Sequence, residues 1–145
     1  MKGYNEKIEY PNGNTYWGDT LRGIPDGEGI LYDAQQRVIY EGQWKKGEYH
    51  GNGICTNLDG DTYEGEWKNG QRNGRGRMKY ANGSLYIGEF KNNVKCGSGM
   101  LIYANGDSYE GGFKNDLPNG IGTLLRANGG EKKGVWKDGK LALGK

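Results

Sequence analysis

A phrase of aromatic and glycine residues returns at a fixed interval along this chain, and the interval constrains the fold more than any single residue does. The phrase reads Tyr40-Glu41-Gly42-Gln43-Trp44, Tyr63-Glu64-Gly65-Glu66-Trp67, Tyr86-Ile87-Gly88-Glu89-Phe90 and Tyr109-Glu110-Gly111-Gly112-Phe113, with 23 residues between successive tyrosines. A degenerate copy begins at Tyr16-Trp17-Gly18, 24 residues before Tyr40, and a partial copy closes the chain at Lys132-Lys133-Gly134-Val135-Trp136. A period of this length marks an array in which each unit buries its surface on its neighbours. The whole chain, 1–145, therefore reads as a single array. Its expected parts are a partial strand or cap at 1–15, a degenerate repeat at 16–39, regular repeats at 40–62, 63–85, 86–108 and 109–131, and a partial repeat or cap at 132–145.

With 29 glycines and 3 prolines in 145 residues, composition alone approaches that of low-complexity disorder. The rings argue otherwise: 11 tyrosines, 4 tryptophans and 2 phenylalanines recur in register, and disordered chains lack them. Charge is nearly balanced, 20 basic against 18 acidic residues, which gives no strong pull on nucleic acid or anionic membrane. No apolar run approaches the roughly 20 residues that span a bilayer as a helix, so a soluble, unsecreted chain is expected. Cys55 and Cys96 stand in different repeats without the patterned spacing of a disulfide framework, consistent with reduced thiols in a cytoplasmic compartment.

Each repeat carries two turn signals. One is Lys45-Lys46-Gly47 and its copies Lys68-Asn69-Gly70, Lys91-Asn92-Asn93, Lys114-Asn115-Asp116 and Lys137-Asp138-Gly139; the other is Leu58-Asp59-Gly60, Ala81-Asn82-Gly83, Ala104-Asn105-Gly106 and Ala127-Asn128-Gly129, with Pro11-Asn12-Gly13 upstream. Residues of these types accept the positive φ angles of two-residue hairpin turns, so the expectation is strand, turn, strand, turn throughout. The fold class expected is all-β, an elongated single-layer antiparallel β-meander. Alternation along a strand puts Tyr63, Gly65 and Trp67 on one face and Glu64, Glu66 and Lys68 on the other. On the following strand Gly74, Gly76, Met78 and Tyr80 fall together. Rings of one strand are then expected to lie over the glycine backbone of the next, so that one sheet buries its own aromatic face. That packing requirement outweighs the roughly 1 kcal/mol that glycine costs in a strand.

Tyr63-Glu64-Gly65-Glu66-Trp67-Lys68-Asn69-Gly70, followed by Asn73-Gly74-Arg75-Gly76 and closed by Tyr80-Ala81-Asn82-Gly83, resembles the MORN repeat (membrane occupation and recognition nexus). The resemblance runs from about Tyr10 to Gly139 and implies a twisted single-layer meander with an aromatic groove. It also implies a scaffold or peptide-binding role in cytoskeletal, ciliary or membrane-contact assemblies. Thr20 stands where tryptophan belongs, an extra residue falls within 33–38, and Lys132 replaces tyrosine, so both ends read as caps.

No catalytic constellation emerges, and no cofactor or metal site is expected. The lone His50 shares its repeat position with Asp26, Asn73, Cys96 and Asn119, a place that takes a compact polar group. Gly74-Arg75-Gly76 opens no helix whose amides could hold phosphate, and Glu41, Glu64 and Glu110 are spread along the array rather than paired for acid-base work. The expected function is that of a non-enzymatic adaptor subunit that binds a helix or extended peptide of a partner protein, with no nucleic acid and no small-molecule substrate. Its groove anchors are Tyr40, Trp44, Tyr63, Trp67, Tyr86, Phe90, Tyr109 and Phe113. An alternative partner surface is the opposite face, where Ile30, Ile54, Met100, Ile102 and Leu125 are apolar at positions a solvated face leaves polar. A further alternative is a peripheral membrane module in which Lys45, Lys68, Lys91 and Lys114 meet anionic phospholipid head groups along one edge. The expected location is cytoplasmic, in association with cytoskeleton or cilium where the resemblance holds, with an organellar complex as the alternative.

Overall fold

Lys-x-Gly and Asn-Gly turns at short, regular spacing leave room only for strands of five to nine residues, and strands are what form. The computed structural model describes residues 1–144, in which there is no helix. The strands are β1 (Lys2–Glu9), β2 (Thr15–Leu21), β3 (Ile24–Tyr32), β4 (Val38–Lys45), β5 (Glu48–Thr56), β6 (Thr62–Lys68), β7 (Gln71–Lys79), β8 (Leu85–Lys91), β9 (Val94–Ile102), β10 (Ser108–Lys114), β11 (Leu117–Leu125), β12 (Glu131–Lys137) and β13 (Lys140–Gly144). They lie in chain order in one open antiparallel sheet, the all-β meander that the turn spacing predicts. The chain divides into two units, Met1–Gln71 and Arg72–Lys145.

The two turns of each repeat differ in kind. After β4, Lys46 and Gly47 both have positive φ, 52° and 80°, and after β6 Asn69 and Gly70 have 51° and 78°; these are the two-residue turns expected. The second turn is not of that type. Between β5 and β6, Gly60 N–H donates to the Asn57 carbonyl at 3.1 Å and Asn57 N–H donates to the Asp61 carbonyl at 2.8 Å, which closes a three-residue loop. Only Gly60 there has a positive φ, 95°. The asparagine before this glycine is selected for its side chain: Asn82 Oδ1 accepts from Ser84 N–H at 2.8 Å, and Asn105 Oδ1 from Asp107 N–H at 2.9 Å. In the degenerate repeat the extra residue is absorbed as a bulge. Leu31 pairs with Tyr40 and Tyr32 with Val38, which leaves Ile39 unmatched.

The core is the ring face of the sheet. In the first unit Leu31, Tyr40, Cys55 and Tyr63 oppose one another across β3 to β6, and Gly29, Gly42, Gly53 and Gly65 form the next row. In the second unit the rows are Met78, Tyr86, Leu101, Tyr109 and Leu124, and Gly76, Gly88, Gly99, Gly111 and Gly122. A Cβ added to Gly53 would collide with the ring of Tyr40, one on Gly99 with Tyr86, and one on Gly122 with Tyr109. The rings therefore lie over glycine backbone as the sequence pattern requires. At the amino end Thr20, in the tryptophan position, is buried and donates its hydroxyl to the Glu6 carboxylate.

Candidate functional site

The tyrosines of the repeated phrase are fixed at both ends. The rings of Tyr40, Tyr86 and Tyr109 are buried on Gly53, Gly99 and Gly122, and each phrase hydroxyl donates to the carbonyl three residues onward: Tyr40 to Gln43 at 2.7 Å, Tyr63 to Glu66 at 2.9 Å, Tyr86 to Glu89 at 2.9 Å and Tyr109 to Gly112 at 2.9 Å. Burial pushes the phenols of Tyr16, Tyr40 and Tyr86 far above their ordinary pKa, so they stay neutral donors.

Within each unit the second ring of the phrase packs edge to face on the phrase tyrosines. Trp44 meets Tyr16 and Tyr40 edge to face, both with centroids 5.1 Å apart, and Trp67 meets Tyr40 at 5.6 Å and Tyr63 at 5.0 Å. Phe113 holds the same place between Tyr86 and Tyr109, at 5.0 and 5.2 Å. Where this ring is tryptophan it also makes a backbone bond. Trp44, Trp67 and Trp136 donate Nε1–H to the carbonyls of Gly29, Gly53 and Gly122, each at 3.0 Å. Phe90 and Phe113 have no such donor.

The eight anchors named from the sequence are therefore the core itself. The most exposed of them, Trp44 and Trp67, are only 6% exposed. A position outside the repeated phrase, two residues after the two-residue turn and occupied by Pro25, Tyr49, Arg72, Lys95 and Pro118, supplies cover through Tyr49, Arg72 and Lys95. Tyr49 stacks on Tyr40 with centroids 3.8 Å apart and planes 3° from parallel, and stands edge-on to Trp44 and Trp67. Burial, with a smaller push from Cys55, raises its pKa to about 12. The Arg72 guanidinium lies 5.6 Å from the Phe90 centroid. The Lys95 ammonium lies 5.1 Å from the Tyr80 ring and 5.4 Å from that of Tyr86, with Asp116 Oδ1 3.9 Å away. Sequence reasoning missed this position because its residue type changes in every repeat. The available signal was parity: Tyr49 falls on the face of Gly51 and Gly53.

On the ring face of the first unit there is a groove of about 630 Å³. Tyr10, Pro11, Asn12 and Asn14 flank one end and Gly47, Glu48 and Gly70 the other, with Leu31, Trp44 and Tyr49 between. Apolar surface stands in the middle, with amide and carboxylate groups at the ends. His50 lies on β5, half-buried.

The remaining candidates lie elsewhere. Ile54 and Leu125, 39% and 46% exposed, and the half-buried Ile30, Met100 and Ile102 occupy the face away from the rings. Lys45, Lys68, Lys91 and Lys114 are exposed at the last position of β4, β6, β8 and β10, each just before a two-residue turn. No helix among the described residues is long and apolar enough to cross a membrane.

The family model for the MORN repeat matches residues 40–62, 63–85, 86–108 and 109–131, well over half of the chain. None of the curated proteins matches it.

Proposed function

Because the chain belongs to the MORN-repeat family, whose repeats are typically non-catalytic, we propose that it is a non-enzymatic adaptor that binds an extended segment of a partner protein across the ring face of its first unit. The groove lined by Leu31, Trp44 and Tyr49 is the observation that carries this reading. Its walls stand on a continuous sheet and on rings locked by hydrogen bonds, so little ordering cost falls on the receptor when a peptide docks. The core rings act from beneath: they hold Tyr49 and the edge of Trp44 in place. The Asn14 side-chain amide is suited to pair with peptide backbone, and Glu48 favours a basic residue beside an apolar one. Such a receptor works as an adaptor within a larger assembly, in keeping with a cytoplasmic or cytoskeletal setting.

Selection of displayed peptides on the purified protein tests the reading. The expected result is a motif that joins an apolar and a basic residue, with Glu48→Lys reversing the charge preference and Tyr49→Ala abolishing binding while circular dichroism stays unchanged. Peptides that bind equally well to both variants would refute it. The membrane reading has its own signature, flotation with anionic vesicles that is lost when Lys45, Lys68, Lys91 and Lys114 become glutamine and that weakens as salt screens the charges.

A further inference from the structure

The face of the second unit turned away from the rings is its own complement, and we infer that two copies of this chain associate face to face through it. The inference is independent of the groove on the first unit. Across β7, β8, β9 and β10 one row on this face reads Arg77, Ile87, Met100, Glu110, each residue directly opposite the next. The adjacent row reads Lys79, Leu85, Ile102, Ser108. Both rows run from a cation through two apolar residues to an acid or a hydroxyl. Ile87 is 43% exposed, an apolar cost with no cover within the unit. Ile87, Met100 and Glu110 rise around a depression of about 440 Å³ floored by Gly88, Gly99 and Gly111.

Consider a two-fold axis parallel to the strands, midway between β8 and β9 and just above this face. It brings β8 over β9 of the other copy and β7 over β10. Ile87 then meets Met100, Leu85 meets Ile102, Lys79 meets Ser108, and Arg77 meets Glu110, with every pair occurring twice. Sheets packed this way lie about 10 Å apart with strands within about 30° of one another. The result is an apolar centre with a charged rim, the usual anatomy of an isologous interface. The first unit offers a poorer version. Its row Lys7, Trp17, Ile30, Glu41 has the same order, but Lys7 is held by Glu9 at 2.9 Å, and in the neighbouring row the same operation sets Glu9 against the apolar Val38.

The test is sedimentation of the full chain over a range of concentrations, with charge reversals at exposed positions. Arg77→Glu and Glu110→Arg should each weaken self-association by about tenfold or more, because like charges then meet twice in the dimer. An equimolar mixture of the two variants should associate as the parent does. One copy then carries an acid at both positions and the other a base at both, so each of the two rim contacts again joins opposite charges. Glu41→Lys on the first unit should change nothing. A parent chain that stays monomeric into the millimolar range, single variants that associate undiminished, a mixture that fails to recover, or dissociation caused by Glu41→Lys would each overturn the inference. Because recovery in the mixture requires both variants to be folded, misfolding cannot imitate it.

Discussion

The two units use one packing rule with different chemistry on top of it. In the first, Trp44 and Trp67 bind backbone carbonyls through their indole nitrogens, and Tyr49 covers them as a further aromatic layer. In the second, only Trp136 keeps such an indole bond, Phe90 and Phe113 take the ring position by shape alone, and the cations Arg72 and Lys95 lie over the rings of Phe90 and Tyr86. Tyrosine over glycine is common to both. The comparison separates what the fold needs, a ring of given volume above a bare backbone, from what the repeat is free to vary, the donor and the cover. The cover over the rings is thus aromatic at Tyr49 in the first unit and cationic at Arg72 and Lys95 in the second.

The largest expected effect sharpens the common part of that comparison. Tyr16, Tyr40 and Tyr86 are held neutral by burial, and Tyr49 is pushed up to about 12. Since the fold favours the protonated phenols, their contribution is complete below the ordinary pKa of 10 and is lost as pH rises through the raised folded values. Alkaline titration should show phenolate absorbance and loss of strand signal rising together above that point. Tyr49→Phe should move the midpoint upward, an effect without counterpart at Lys95. Phenolate that forms at the ordinary value in a folded chain would contradict this.

Next come Gly53→Val in the first unit and Gly99→Val in the second. Each should cost about 3 kcal/mol in denaturant melts, because the added methyls force the tyrosine ring off its seat. Equal costs in both units support a shared rule; an unchanged or higher midpoint breaks it. Trp67→Phe should cost about 1 kcal/mol for the lost indole bond, whereas Phe113→Trp should move stability the other way by supplying Gly99 with a donor. The smallest effect is expected from exchanging covers. Tyr49→Lys and Lys95→Tyr should each change stability by less than about 1 kcal/mol, and only Tyr49→Lys should impair peptide capture.

The meander, the two faces and the ring-over-glycine contact were legible because the tyrosine and glycine positions repeat without exception in the regular copies. The turn near Asn82 is a three-residue loop where Asn-Gly predicts a two-residue hairpin. Asn-Gly reads alike whether asparagine adopts a positive φ or, as here, bonds through Oδ1 to an amide two residues on. The accessible part of the candidate site was hidden for a different reason. Exposure of Trp44 is decided by Tyr49 from the next strand, a position where proline, tyrosine, arginine and lysine alternate and no column stands out. Pattern finds what every repeat shares, whereas the cover over the rings is made of what they do not share.

The contact between Tyr86 and Gly99 carries the central claim, that one layer of sheet is stable because its rings seat on glycine, and nuclear magnetic resonance reads it directly. The account predicts strong Overhauser transfer from the Tyr86 ring protons to the Gly99 α-protons, with those α-protons shifted upfield by the ring current, and the same signature at Tyr40 over Gly53. Glycine α-protons at random-coil shifts, with no transfer from either ring in a folded sample, would contradict it.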